Sequence, residues 1–101
     1  MVTFVRVASR EETAPGTRRR LDVEGYEILL VNVEGTIRAI GFRCPHEGGP
    51  LGDGPIAGGR ITCPLHRWTF RLDDGSAVTD RRVRARIYPV RVEGEDVFVG
   101  I

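Results

Sequence analysis

The chain predicts an all-β fold, and three observations carry that prediction. Short runs of β-branched and aromatic residues alternate with Gly and acidic turns. No segment sustains a 3.6-residue apolar period, so helix content is expected to be low. With 101 residues, the chain is the size of one domain.

The elements follow in order. Thr3 to Ala8 reads as a first strand, and Arg18 to Val23, which alternates basic and apolar residues, as a second. Glu24-Gly25 is a hairpin turn, followed by the apolar run Tyr26 to Val33. Glu34-Gly35 turns the chain into Thr36 to Phe42, completing a meander. Residues 43–59 then hold six glycines and three prolines, which predicts a long functional loop with little room for regular structure. Arg60 to Cys63 and Thr69 to Leu72 are short strands around the tight loop Pro64 to Trp68. Asp73-Asp74-Gly75 is a turn signal. Strands return at Ala85 to Tyr88, Val90 to Glu93 and Val97 to Val99.

Bulk composition removes several classes of function. Hydrophobic residues make up 41% and charged residues 29%, an ordinary globular balance, and the net charge of +1 gives no global field toward nucleic acid or membrane. All 15 basic residues are Arg, which reads as a compositional bias of the genome. No stretch approaches the roughly 18 apolar residues of a membrane span, and the start lacks a secretory core, so a soluble cytoplasmic protein is expected. In that setting two cysteines 19 positions apart point to metal or redox chemistry before a disulfide.

Both cysteines and both histidines sit in the glycine-proline region, as Cys44-Pro45-His46 and Cys63-Pro64-Leu65-His66, with 16 residues between the motifs. Two ligands one or two residues apart in a tight turn can face one point, and two such turns can supply four ligands. Glycine lets the backbone approach a bulky inorganic core, and proline stiffens the turn. Two metals fit this set. Structural Zn²⁺ on Cys₂His₂ would make a redox-inert interaction module. A [2Fe–2S] cluster would take both Cys on one iron and both His on the other. Zinc fingers usually pair Cys with Cys and His with His. Here each loop carries one of each, which suits a dinuclear cluster reached from both loops.

Residues 44–68 resemble the cluster-binding segment of Rieske proteins, C-x-H then C-x₂-H. Thr69-Phe70-Arg71-Leu72, Asp74-Gly75 and the run Tyr88 to Gly94 extend the similarity to soluble Rieske ferredoxins. The resemblance covers about the last 60 residues well and the first 40 only as a strand pattern. It implies a Rieske-type antiparallel β-sandwich forming a single domain over 1–101, with a small cluster-binding subdomain at about 43–70. It implies one [2Fe–2S] cluster per chain, with Cys44 and Cys63 on the inner iron and His46 and His66 on the outer. In neutral form that ligand set leaves the oxidised core uncharged, where four thiolates would leave it at −2, so adding an electron is easier.

Rieske centres span roughly −150 to +300 mV. High-potential members carry a Ser two residues after the second His, a Tyr two further on, and an extra cysteine in each loop. Here Trp68 and Phe70 hold those two positions and Leu65 stands at the second-loop cysteine, so a potential near the bottom of the range is expected. One free nitrogen of each ligand His is expected to face solvent as the electron's exit.

Leu51 and Trp68 are expected to shield the core, Trp68 reading equally as plain packing. Arg67 reads as a solvated loop charge or a docking contact. Arg81, Arg82, Arg84, Arg86 and Arg91 read as a solvated strand face or a docking stretch. The family's proline-bearing third loop has no counterpart, because Ser76 to Arg84 lacks proline.

The resemblance implies an electron carrier without catalysis of its own, since every Cys and His is already used and no flavin fingerprint or nucleophile–base set is visible. Its expected partners are a flavin-dependent reductase as donor and a terminal oxygenase as acceptor. A second reading is the small subunit of an NAD(P)H-dependent assimilatory nitrite reductase, paired with its large subunit. Cys63-Pro64-Leu65-His66 with Trp68 and Phe70 resembles both families.

Overall fold

The structure, a computed structural model, describes residues 2–101. Among the described residues, ten strands form three antiparallel sheets. The strands are β1 (Phe4–Ser9), β2 (Arg18–Val23), β3 (Tyr26–Val33), β4 (Thr36–Gly41), β5 (Ile56–Ala57), β6 (Arg60–Thr62), β7 (Thr69–Arg71), β8 (Ile87–Tyr88), β9 (Val90–Glu93) and β10 (Asp96–Gly100).

The central sheet runs β2-β3-β4-β8. Glu24-Gly25 and Glu34-Gly35, all four at positive φ, close its first two hairpins. Such turns match the right-handed twist of the strands they join. Alternate residues of β3 face opposite ways. Leu29 and Val31 join Ile40, Phe42, Ile61, Phe70 and both cysteines in one core. Ile28 and Leu30 join Ala8, Ala39, Val97 and Val99 in the other. This explains why Ile28 to Val31 is an unbroken apolar run: both faces of the strand are buried. Each such side chain contributes about 1.5–3 kcal/mol on burial.

The sheet β1-β10-β9 supplies the strands of the second core, and the small sheet β5-β6-β7 those of the first. Arg18–Val23, Tyr26–Val33 and Val90–Glu93 form strands over the span expected. The strands expected at 3–8, 36–42, 60–63, 69–72 and 97–99 form with ends one residue off, and two segments differ more. Residues 43–59 contain a 3₁₀ turn at Leu51–Asp53 and the short strand β5, because Ile56 and Ala57 find Ile61 and Arg60 across a hairpin. The strand expected from Ala85 begins only at Ile87, since the Ala85 N–H is drawn away to the Gly75 carbonyl at 2.8 Å.

Candidate metal centre

Two loops meet at the edge of the small sheet. The first leaves β4 and contains Cys44 and His46; the second joins β6 to β7 and contains Cys63 and His66. Each is closed in the same way. The Cys44 N–H donates to the Gly49 carbonyl at 2.8 Å, and the Cys63 N–H to the Trp68 carbonyl at 2.7 Å. In both, a cysteine amide reaches the carbonyl five residues on.

The first loop is braced from behind. Arg18 on β2 donates from Nη1 to the carbonyls of Gly52, at 2.9 Å, and Gly54, at 2.8 Å. Gly52 lies flat on the Phe42 ring and Gly54 on the Thr62 backbone, where a Cβ would sit 2.1 Å and 1.7 Å from the nearest atoms. Nothing in local sequence pattern marked Arg18 for this work, because its partners lie more than 30 positions away.

The four residues singled out in the sequence come together as two pairs, cysteine with cysteine and histidine with histidine, one of each pair from each loop. Cys44 and Cys63 are buried neighbours. Burial pushes the Cys44 thiol up and its Cys63 neighbour adds to this, while the His46 and Glu47 amides pull it down. A cation binding there displaces a proton from Cys44. A Cβ on Gly49 would lie 3.1 Å from the Cys63 sulfur, so glycine leaves space beside that sulfur.

The imidazoles meet edge to face at 5.3 Å between centroids. His46 is stacked on Trp68 at 4.5 Å, and its Nδ1 is buried without a hydrogen-bond partner. His66 is half exposed, and its Nδ1 lies 3.1 Å from the Glu47 carboxylate. Glu47, His46 and His66 can offer ligand atoms within 4.8 Å of one another. The sequence reading passed over Glu47; its place directly after His46 was the available signal. Two buried thiols are soft ligands, and a buried imidazole nitrogen without a partner is costly to leave unsatisfied; together they fit a thiophilic metal group.

The segment Ser76 to Arg84 flanks the second loop. The Val78 N–H bonds to the Thr69 carbonyl at 2.8 Å, and Val78 and Thr79 line a hollow with His66, Arg67 and Trp68. Bonding to β7 fixes this segment without proline. Leu51 is fully buried in the same core as the cysteines. The basic stretch does not form one face. Arg82 pairs with Asp80 at 3.0 Å, Arg81 lies 3.9 Å from Asp74, Arg86 covers the Tyr26 and Tyr88 rings, and Arg91 covers Phe4.

An all-β chain that gathers two thiols and two imidazoles on facing loops is, as a class, a metal-binding β protein. Residues 3–93 match the family described as Rieske [2Fe-2S] domain, and the chain belongs to that family. Its cofactor is a single [2Fe–2S] cluster. The ferredoxin component of an alkene monooxygenase system from Xanthobacter autotrophicus is 30% identical over 98% of this chain and 82% of its own length. Among solved structures, the ferredoxin of carbazole 1,9a-dioxygenase from Nocardioides aromaticivorans IC177 superposes with a TM-score of 0.85 at 31% identity, over 96% of each chain. A Mycobacterium tuberculosis protein described as an NADH-dependent nitrite reductase small subunit has the same TM-score, 0.85, at 25% identity over 100% of this chain and 96% of its own. The two ferredoxin relatives are, by their names, electron-carrier components of oxygenase systems.

Proposed function

We propose that this protein is a low-potential one-electron carrier whose cluster is held by Cys44 and Cys63 on one iron and His46 and His66 on the other. The observation that carries the reading is the pair of buried, neighbouring thiols together with the buried, partnerless His46 Nδ1. The bound cluster supplies reversible one-electron chemistry. The protein's own contribution is to hold and shield it. The core around the cysteines excludes water, Trp68 covers one imidazole, and the half-exposed His66 gives the edge nearest a partner. Trp68 and Phe70 carry no hydroxyl, which supports a potential near the bottom of the Rieske range.

In this reading the chain is one domain over 1–101, with residues of about 43–70 as its cluster-binding unit. It takes electrons from a flavin-dependent reductase and gives them to a terminal oxygenase; the oxygenase side is supported by the names of its ferredoxin relatives, components of a monooxygenase and a dioxygenase. In this reading the protein works in the cytoplasm, its two cysteines spent on the cluster and not on a disulfide. No helix among the described residues is long and apolar enough to cross a membrane.

The match to the nitrite reductase small subunit along the whole chain favours a second reading, a fixed subunit of such an enzyme. The test has two parts. Cys63→Ser should abolish iron and acid-labile sulfide, and a normal cluster spectrum in that variant would sink the ligand assignment. Purification from native cells should then yield a free red-brown carrier; tight association with a large sirohaem protein would select the second reading.

A further inference from the structure

We propose a second binding site, for a small phosphate-class oxyanion, in the hollow where the central sheet meets the small sheet at the end away from the cysteines. This hollow of about 370 Å³ is walled by three separated chain segments: the end of the β3–β4 hairpin, the β5–β6 turn and the end of β7. Its volume falls in the lower part of the range of small-molecule sites.

The lining is rich in donors. Arg38 from β4 and Arg60 from β6 both border the hollow, and neither has an ion-pair or hydrogen-bond partner among the described residues. Thr36 adds a hydroxyl. Gly58 and Gly59, at φ 59° and 74°, form the β5–β6 turn, and their amides donate to no acceptor among the described residues. Asp73 is the one carboxylate in the lining, and its Oδ1 already accepts the Asp74 N–H at 2.7 Å.

Register adds a separate argument. Arg60 stands directly opposite Arg71 in the β6–β7 pair. Like charges facing across a ladder are unfavourable unless something neutralises them. The Arg71 guanidinium is turned to the Ser76 hydroxyl at 3.0 Å, a neutral partner, so its charge is not cancelled there. An oxyanion offers several acceptors to forked guanidinium donors and to backbone amides at once. Bridging Arg38 and Arg60, it would tie β4 of the central sheet to β6 of the small sheet. Anion binding would then brace the cluster-bearing unit without touching its ligand loops.

Isothermal titration of inorganic phosphate into the cluster-loaded protein, at constant ionic strength set with chloride, tests this. The expected result is saturable heat with a dissociation constant below about 10 mM. Arg38→Gln and Arg60→Gln should each weaken binding by about tenfold or more, as expected for loss of a charged donor. Arg10→Gln, at a different hollow, should leave it unchanged. The visible spectrum of each variant shows that it still folds around its cluster. Absence of saturable heat in the native protein, or equal binding in Arg38→Gln and Arg10→Gln, overturns the proposal.

Discussion

Trp68 lies against His46 at 4.5 Å between ring centroids and 23° from parallel, covering one face of an imidazole that is partly buried while His66 stays half exposed. The two histidines are therefore unequal. Trp68→Ala should cost about 0.5–1.5 kcal/mol from the lost stack, with a further loss from uncovering His46. Colour loss in the presence of an iron chelator should speed up several-fold in Trp68→Ala and much less in Trp68→Phe. Equal rates in all three proteins would mean that the stack shields nothing.

Arg67 sits at φ 59° directly after His66 at φ 64°, two successive non-glycine residues in the left-handed region. That conformation costs a non-glycine residue roughly 1–2 kcal/mol. Glycine removes the strain but loses more backbone entropy on folding, roughly 0.5–1 kcal/mol. Arg67→Gly should thus stabilise the protein by up to about 1.5 kcal/mol, the difference of those two terms. A higher denaturant midpoint at constant slope would check this; a lower midpoint would mean that the Arg67 side chain contributes more than its backbone costs.

Glycines 49 and 54 should respond differently to alanine. A Cβ on Gly54 meets the Thr62 carbonyl oxygen at 1.7 Å, and a backbone atom cannot move aside cheaply. Gly54→Ala should lower the unfolding midpoint sharply, as overpacking costs typically about 1–3 kcal/mol or more. At Gly49 the new atom meets Leu65 Cβ at 2.8 Å and the Cys63 sulfur at 3.1 Å. Gly49→Ala should therefore lower iron content after reconstitution more than it harms the sheets. Far-ultraviolet circular dichroism alongside an iron assay separates the two outcomes.

Arg18→Ala removes two charge-assisted hydrogen bonds and leaves the carbonyls of buried Gly52 and Gly54 without their partner. A loss of about 1.5–3 kcal/mol is expected. Faster amide exchange confined to residues 51–54 would locate the damage. Unchanged exchange there would show that the 3₁₀ turn stands without its brace.

Much of this was legible in the sequence, for local reasons. The turns Glu24-Gly25 and Glu34-Gly35 and the run Ile28 to Val31 announce the central meander, because hairpin chemistry and burial are written over a few neighbouring residues. The four candidate ligands were legible because no other Cys or His exists in the chain. What escaped depends on distant partners. Strand β5 is two residues long and exists only through its pairing with β6. The run of arginines from 81 to 91 looks like one surface, yet Asp74, Asp80, Tyr26, Tyr88 and Phe4 claim its members separately. Glu47 draws attention only once the fold brings it to His66.

The two ligand loops share one closing bond, from each cysteine amide to the carbonyl five positions on. That bond asks nothing of the metal, so each loop has a backbone hold on its shape that does not depend on what it binds. A mould set in advance yields little when the charge inside it changes. An electron arriving or departing then finds almost the same surroundings, which keeps the work of rearrangement small in both directions of traffic.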